Sequence, residues 1–275
     1  MGNGKILVGI PTRSRPECVC MLLSSLFQET EIAFDIFIVE NSKESCLADY
    51  VLFHRLKSAF EARNTSIILD HYYTSVRSEV ASVNRILVKA SEGYDYLFKV
   101  DDDHILEGKA LSQLKESLEE VEFRQAESKP VIVCGMTPWM WVKFPGASGP
   151  DLCRSVLPDN PTAVSIVGDE IYCDTGHFTR VVKRDLVRSQ IGSAANFFMK
   201  PDIRILWSDF GEASMFSDAV WYLQLRRFFD YDIRFDTGVN VWHVAAPTGG
   251  VIKEHSDREE QRNKYQVIKT LLKGI

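Results

Sequence analysis
No apolar run in this sequence approaches the length needed to span a membrane, no cysteines fall at metal-site spacings, and basic residues are outnumbered by acidic ones. Each absence removes a class of function. A transmembrane helix needs about 20 consecutive apolar residues, so none is expected. Cys18, Cys20, Cys46, Cys134, Cys153 and Cys173 lie scattered, without the paired pattern of a zinc site. Buried or half-buried free thiols are the expectation. The net charge of −6, from 32 Lys and Arg against 38 Asp and Glu, argues against broad capture of nucleic acid, which depends on clustered cations neutralising phosphates. It leaves room for a local basic groove, with Arg180, Lys183, Arg184 and Arg188 as candidates. Residues 1–5 lead straight into an apolar run with no basic-then-apolar leader, and the expectation is a soluble cytoplasmic protein.

What is present suits a folded α/β domain. The chain has 275 residues, 45% hydrophobic and 25% charged, enough to bury a full core as one large domain or one domain with a C-terminal extension. Lys5–Ile10 is a short β-branched run bounded by Pro11, and Pro16 suits the first turn of a helix running to about Gln28. Strands over Phe34–Val39 and Ser66–Leu69, with a helix over about Ala48–Ala62 between them, continue the alternation. A helix over Ser75–Ser91 carries Val76, Val80, Val83, Leu87 and Ala90 on one face, leaving Asn84 and Arg85 among the polar residues. Strand and helix in alternation predict a mainly parallel, Rossmann-like central sheet flanked by helices.

The chain is organised around Tyr94–His104, where an apolar run ends in Asp101, Asp102 and Asp103. Ligands of open α/β sheets sit beyond the carboxyl ends of the strands, and acids there can hold a cation and its phosphates. The plainer reading is a solvated turn with a helix N-cap. Arg13 and Arg15, between a strand end and a helix start, suit a phosphate or a base edge, although surface arginines need no ligand.

Ile10–Pro16, Leu23–Thr30, Phe37–Ser42, Asn84 and Val100–Asp103 together resemble, in order and spacing, family 2 glycosyltransferases of the GT-A (nucleotide-diphospho-sugar transferase) fold. The resemblance implies a nucleotide-sugar donor of the UDP or GDP type and an acceptor with a free hydroxyl: a glycan, a small molecule or a modified nucleobase. It implies that Pro11, Thr12, Arg13 and Arg15 line the nucleotide pocket, that Glu40 meets the base or ribose, and that Asn84 or Arg85 approaches the base or diphosphate. Asp101 would sit near the ribose and metal, Asp103 would ligate Mn2+ or Mg2+, and Asp102, the middle residue of the run, goes with the nucleotide-binding set or points away. Glu40 replaces the commoner Asp, and Ser82-Val83-Asn84 lacks the usual Arg before Asn. Both departures bear on the donor nucleotide.

Further along, a charged helix over about Glu107–Ser128 and a strand over Pro130–Gly135 precede a segment with Trp139, Trp141 and Phe144, which suits sugar faces or plugs a core edge. The resemblance also implies a Gly-containing strand and then a short helix ending near Gly192 over 174–192. By the resemblance, Asp218 is the general base of an inverting transfer, with Asp209 and Glu212 in reserve, and His243, at the end of the last strand, is a further metal ligand. Pro247–Gly250 and Lys253 suit a loop closing on the diphosphate, and a tail helix with Tyr265, Ile268 and Leu272 inward completes the chain. The expected organisation is one catalytic domain over 1–252, its nucleotide-binding half about 1–106 and its acceptor-binding half about 107–252, followed by a helical tail over 253–275. The rivals are a retaining enzyme with the same metal site, a haloacid dehalogenase-type phosphohydrolase, against which Ile105 counts, and a non-catalytic nucleotide-sugar-binding module.

Overall fold
The computed structural model describes residues 4–74, 79–125, 128–137, 164–167, 170–173, 186–189, 192–193, 195–207 and 217–244. Its centre is a nine-stranded sheet. β1 (Ile6–Thr12), β2 (Phe34–Asn41), β3 (Ile67–Tyr72) and β4 (Tyr96–Val100) form a parallel half in the order β3-β2-β1-β4. The other half is mixed. β10 (Asn196–Met199) inserts antiparallel between β4 and β6 (Val131–Met136). β11 (Asp232–His243) runs parallel to β6 and antiparallel to β5 (His104–Leu106) and β9 (Leu186–Ser189). A separate hairpin pairs β7 (Val164–Val167) with β8 (Glu170–Cys173).

β1, β2 and β4 are largely apolar on both faces because helices cover both, while β3 at the edge buries only Ile67. Ile6, Val8 and Ile10 share one core with α1 (Pro16–Leu26), α2 (Val51–Glu61) and α4 (Ala110–Arg124). Leu7 shares the other with α3 (Glu79–Ser91) and α5 (Ser217–Phe229). α3 buries Val80, Val83, Ile86, Leu87 and Ala90. At about 1.5–3 kcal/mol for each large apolar side chain, that face is what fixes the helix on the sheet. The approach is close at Gly9, where an added Cβ would lie 2.2 Å from Ile86 Cγ2. A side chain there would push α3 off β1.

Two sequence expectations change. Leu186–Ser189 is a strand, not the end of a short helix, because it pairs with Ile233–Asp236 at the sheet margin, where an extended segment satisfies its backbone groups. β10 was not expected, yet it joins the two halves of the sheet: Asn196 donates from Nδ2 to Gly135 O and accepts from Gly135 N–H at Oδ1. Among the described residues no helix is long and apolar enough to cross a membrane. Trp139, Trp141, Phe144, Arg180, Lys183, Arg184, Asp209, Glu212, Pro247–Gly250, Lys253 and the tail lie outside the described residues.

Candidate active site
The carboxyl ends of β1 and β4 are neighbours, so the loop after β1 meets the acid run after β4. Ser14 takes a left-handed backbone (φ 52°), a conformation costly for a residue with a Cβ, and turns the chain between Arg13 and Arg15. Pro16 then opens α1 at a position where its missing N–H costs nothing. Arg15 bridges two acids. Its Nη2 and Nε (3.1 Å) meet Asp102, and its Nη1 meets Asp103 Oδ2 at 2.8 Å. Thr12 Oγ1 donates to Asp102 Oδ2 at 2.6 Å.

The three consecutive acids are thereby sorted among three sets of partners. Asp101 accepts from the ammonium of Lys99 at 2.6 Å, and that fully buried ammonium also meets Glu79 Oε1 at 2.6 Å. Asp102, fully buried, is closed by Thr12 and Arg15. Asp103 faces two imidazoles: His104 Nδ1 lies 3.1 Å from Oδ1 and His243 Nε2 lies 3.4 Å from Oδ2. With all ionised, Glu79, Asp101, Asp102 and Asp103 exceed Lys99 and Arg15 by two negative charges, the charge of one divalent ion.

The β5–β11 ladder builds the histidine pair. Val241, Trp242 and His243 pair with Leu106, Ile105 and His104. Glu107 locks its far end by accepting from Asn240 Nδ2 at 2.8 Å and Trp242 Nε1 at 3.0 Å. The two imidazoles stack with centroids 4.8 Å apart and planes 24° apart. His104 is 2% exposed, and both its ring nitrogens are buried without a hydrogen-bond partner, the Nδ1 approach to Asp103 being a close contact. A buried imidazole in that condition has a lone pair to offer a cation. One ligand atom from each of Asp103, His104 and His243 lies within 4.8 Å of the others, so the group could hold a metal ion.

Electrostatics follows the partners. Burial pushes the carboxyls of Glu79, Asp101 and Asp102 up, that of Asp102 to about 7, against the lowering effect of Lys99 or Arg15. Burial also raises Asp103, but the approach of His104 and His243 and the charge of Arg15 outweigh it and hold this carboxyl far below the usual range. Burial lowers the basicity of His104, keeping it neutral. Asp103 is therefore the acid most firmly ionised, beside a neutral nitrogen donor.

The other sequence candidates have partners of their own or flank this cluster in the chain. Pro11 is buried in β1, and Arg13 is half-buried at its end. Glu40, 1% exposed, accepts from Ser45 Oγ and from Cys46 N–H at 2.7 Å, so both oxygens hold the loop after β2. Asn84 clamps the Trp207 backbone, donating to its carbonyl at 2.9 Å and accepting from its N–H at 2.7 Å. Arg85 pairs with Asp70 at 2.8 Å and lies over the Tyr72 ring, against β3. Asp218 falls in the first turn of α5. The site residues that sequence reasoning missed are Lys99, Glu79 and His104. His104 had a readable signal, an imidazole directly after an acid run.

No protein-family model and no curated protein matches the chain. Solved structures do. S. aureus TarS in complex with UDP-GlcNAc matches with a TM-score of 0.61 at 11% identity, over 98% of this chain and 66% of that one. The fold is that of the GT-A glycosyltransferases. A mannosyltransferase from Pyrobaculum calidifontis in complex with GDP-Man and Mn2+ gives 0.55 at 11% identity, over 98% of this chain and 70% of that one. GalNAc-T7 with UDP, GalNAc and Mn2+ gives 0.53 at 10%, over 88% and 44%. The chain spans 65% of the length of TarS in complex with UDP. On this GT-A sheet, the cluster of Asp103 and the two histidines lies where the central strands end, beside the loop that follows the first strand.

Proposed function
We propose that the chain is a metal-dependent glycosyltransferase that moves a sugar from a nucleotide-diphosphate sugar to an acceptor hydroxyl, with inversion. The observation that carries this reading is the Asp103, His104 and His243 group, with an imidazole buried without hydrogen bonds, at the strand ends of a GT-A fold. The fold alone would fit a binding module; a preorganised ligand set next to fixed cations suits charge developing on a leaving group. Mn2+ or Mg2+ is the ion; the GalNAc-T7 and mannosyltransferase structures contain Mn2+. When bound, it supplies positive charge to the leaving diphosphate.

The chain's own residues do the rest. Pro11, Thr12, Arg13 and Arg15 border the nucleotide, within a donor half over about 1–106, and Arg15 holds Asp102 and Asp103 in fixed orientation. Asp103 and His243 hold the cation, joined by His104. Asp101 accepts a donor hydroxyl. In the acceptor half, over about 107–252, Asp218 takes the proton from the attacking hydroxyl on the face opposite the departing diphosphate. The donor is of the UDP or GDP type, as in the neighbours, and the acceptor is a glycan, a small molecule or a modified nucleobase.

The test is a thermal-shift screen of UDP- and GDP-sugars with and without Mn2+, on wild type and Asp103→Ala, followed by turnover of the stabilising donor. A ligand specific to the folded state raises apparent stability, by about 2.7 kcal/mol at a hundredfold excess over Kd. The expected result is stabilisation that needs both Mn2+ and Asp103, with Asp218→Asn keeping the shift and losing turnover. No metal-dependent shift with any donor contradicts the reading; turnover retained in Asp218→Asn favours a retaining mechanism.

A further inference from the structure
Lys99 is a lysine where a buried strand has no use for one. It lies in β4 between Gly9 of β1 and Phe197 of β10, its register partners, and is 0% exposed. Its ammonium sits 2.6 Å from Asp101 Oδ1, two residues along the same strand face, and 2.6 Å from Glu79 Oε1 in the first turn of α3. Both carboxylates keep roughly a quarter of their side chains exposed, so Lys99 forms the closed floor beneath two acids that still reach the surface. Asp101 is also fixed through its backbone, its N–H donating to Ala195 O at 2.9 Å.

That geometry matters for the neighbouring cation site. An ammonium bound to a carboxylate neutralises it and repels a dication approaching the other oxygen. Among the described residues Asp103 meets no ammonium: Arg15 and His243 share its Oδ2, and its Oδ1 is left facing the imidazole of His104. Resting on the metal-dependent reading above, we propose that Lys99 is a positioning residue that withholds Asp101 from the cation, leaving the ion to Asp103, His104 and His243 and keeping Asp101 as a hydrogen-bond acceptor for the donor. A lysine that merely stabilised the core would have no influence on how many carboxylates the ion gathers.

The experiment is calorimetric titration of the full chain with Mn2+ alone, without nucleotide. Lys99→Met with Glu79→Gln removes the ammonium and one acid together, leaving the local charge unchanged. Ion affinity follows the number and charge of oxygen ligands, so the double variant is expected to bind Mn2+ about tenfold tighter as Asp101 turns in. Adding Asp101→Asn is expected to return it to the wild-type value. Equal or weaker Mn2+ binding in a folded double variant overturns the proposal. Asp101→Asn in the wild-type background, which leaves the Lys99 ammonium paired with Glu79, tests it independently: in the folded variant an affinity within about twofold of wild type supports the assignment, and a tenfold loss overturns it, because Asp101 would then be a ligand already. Undetectable Mn2+ binding in every variant also overturns it. Nucleotide-sugar binding to wild type is read separately, so failure of the glycosyltransferase reading and failure of this one are distinguishable.

Discussion

The two ends of the Asp101–His104 run are built in opposite ways. At the first end, Asp101 and Asp102 meet permanent cations, Lys99 and Arg15, and are closed or half-closed by them. At the second, Asp103 shares Arg15 through Oδ2 and also meets two imidazoles, one with both nitrogens buried without a hydrogen-bond partner. A fully buried ammonium, as at Asp101, fixes an acid and occupies it. A neutral imidazole can instead share a cation with the carboxylate. Arg15 reaches across both ends and fixes their spacing. The difference teaches that the number of acids in a run does not give the number of ligands; their internal partners do.

The largest effect that would sharpen this contrast is at His104. His104→Ala removes a nitrogen that no other group satisfies, and Mn2+ affinity is expected to fall about 10- to 100-fold, in the range of losses seen on disturbing metal-site shells. Titration calorimetry measures it. An affinity within about twofold of wild type would make His104 a packing residue and erase the contrast between the two ends.

A smaller effect is expected at Asn84, whose amide spends its donor and acceptor on the Trp207 backbone. Trp207 in turn packs on Trp221, with centroids 5.1 Å apart, and Trp221 Nε1 donates to Ile205 O. Asn84→Ala leaves a part-buried backbone N–H and carbonyl unpaired, an expected loss of about 2–3 kcal/mol in chemical denaturation, with the donor-induced thermal shift retained. Loss of the donor shift at unchanged stability would return Asn84 to the nucleotide pocket.

What the sequence made legible depended on how local each signal was. The parallel half announces itself in runs such as Ile6–Ile10 and Phe34–Val39, where burial on both faces leaves an unbroken apolar signal. β10 carries only Asn196–Met199, too short to show a period, and its place is decided by partners distant in sequence. Asn84 reads as a solvent-facing helix residue because helical periodicity is blind to a backbone 123 positions away. Lys99 reads as an interruption of a strand, since its partner Glu79 belongs to another element. Asp101–Asp103 stood out, but which acid takes which partner is a property of the folded loop. His243 gained its role only through resemblance, because the β5–β11 register that sets it beside His104 has no signature in either segment alone.

The central claim is a cation site at Asp103, His104 and His243 that serves a nucleotide-sugar donor. Anomalous diffraction at the manganese edge, from crystals grown with Mn2+ and UDP or GDP, tests it most directly. The account predicts a peak at coordination distance from a carboxylate oxygen of Asp103 and a ring nitrogen of His243 and of His104, with the nucleotide diphosphate beside it. A peak held by Asp101 and Asp102 instead, or a nucleotide bound away from this cluster, would contradict it.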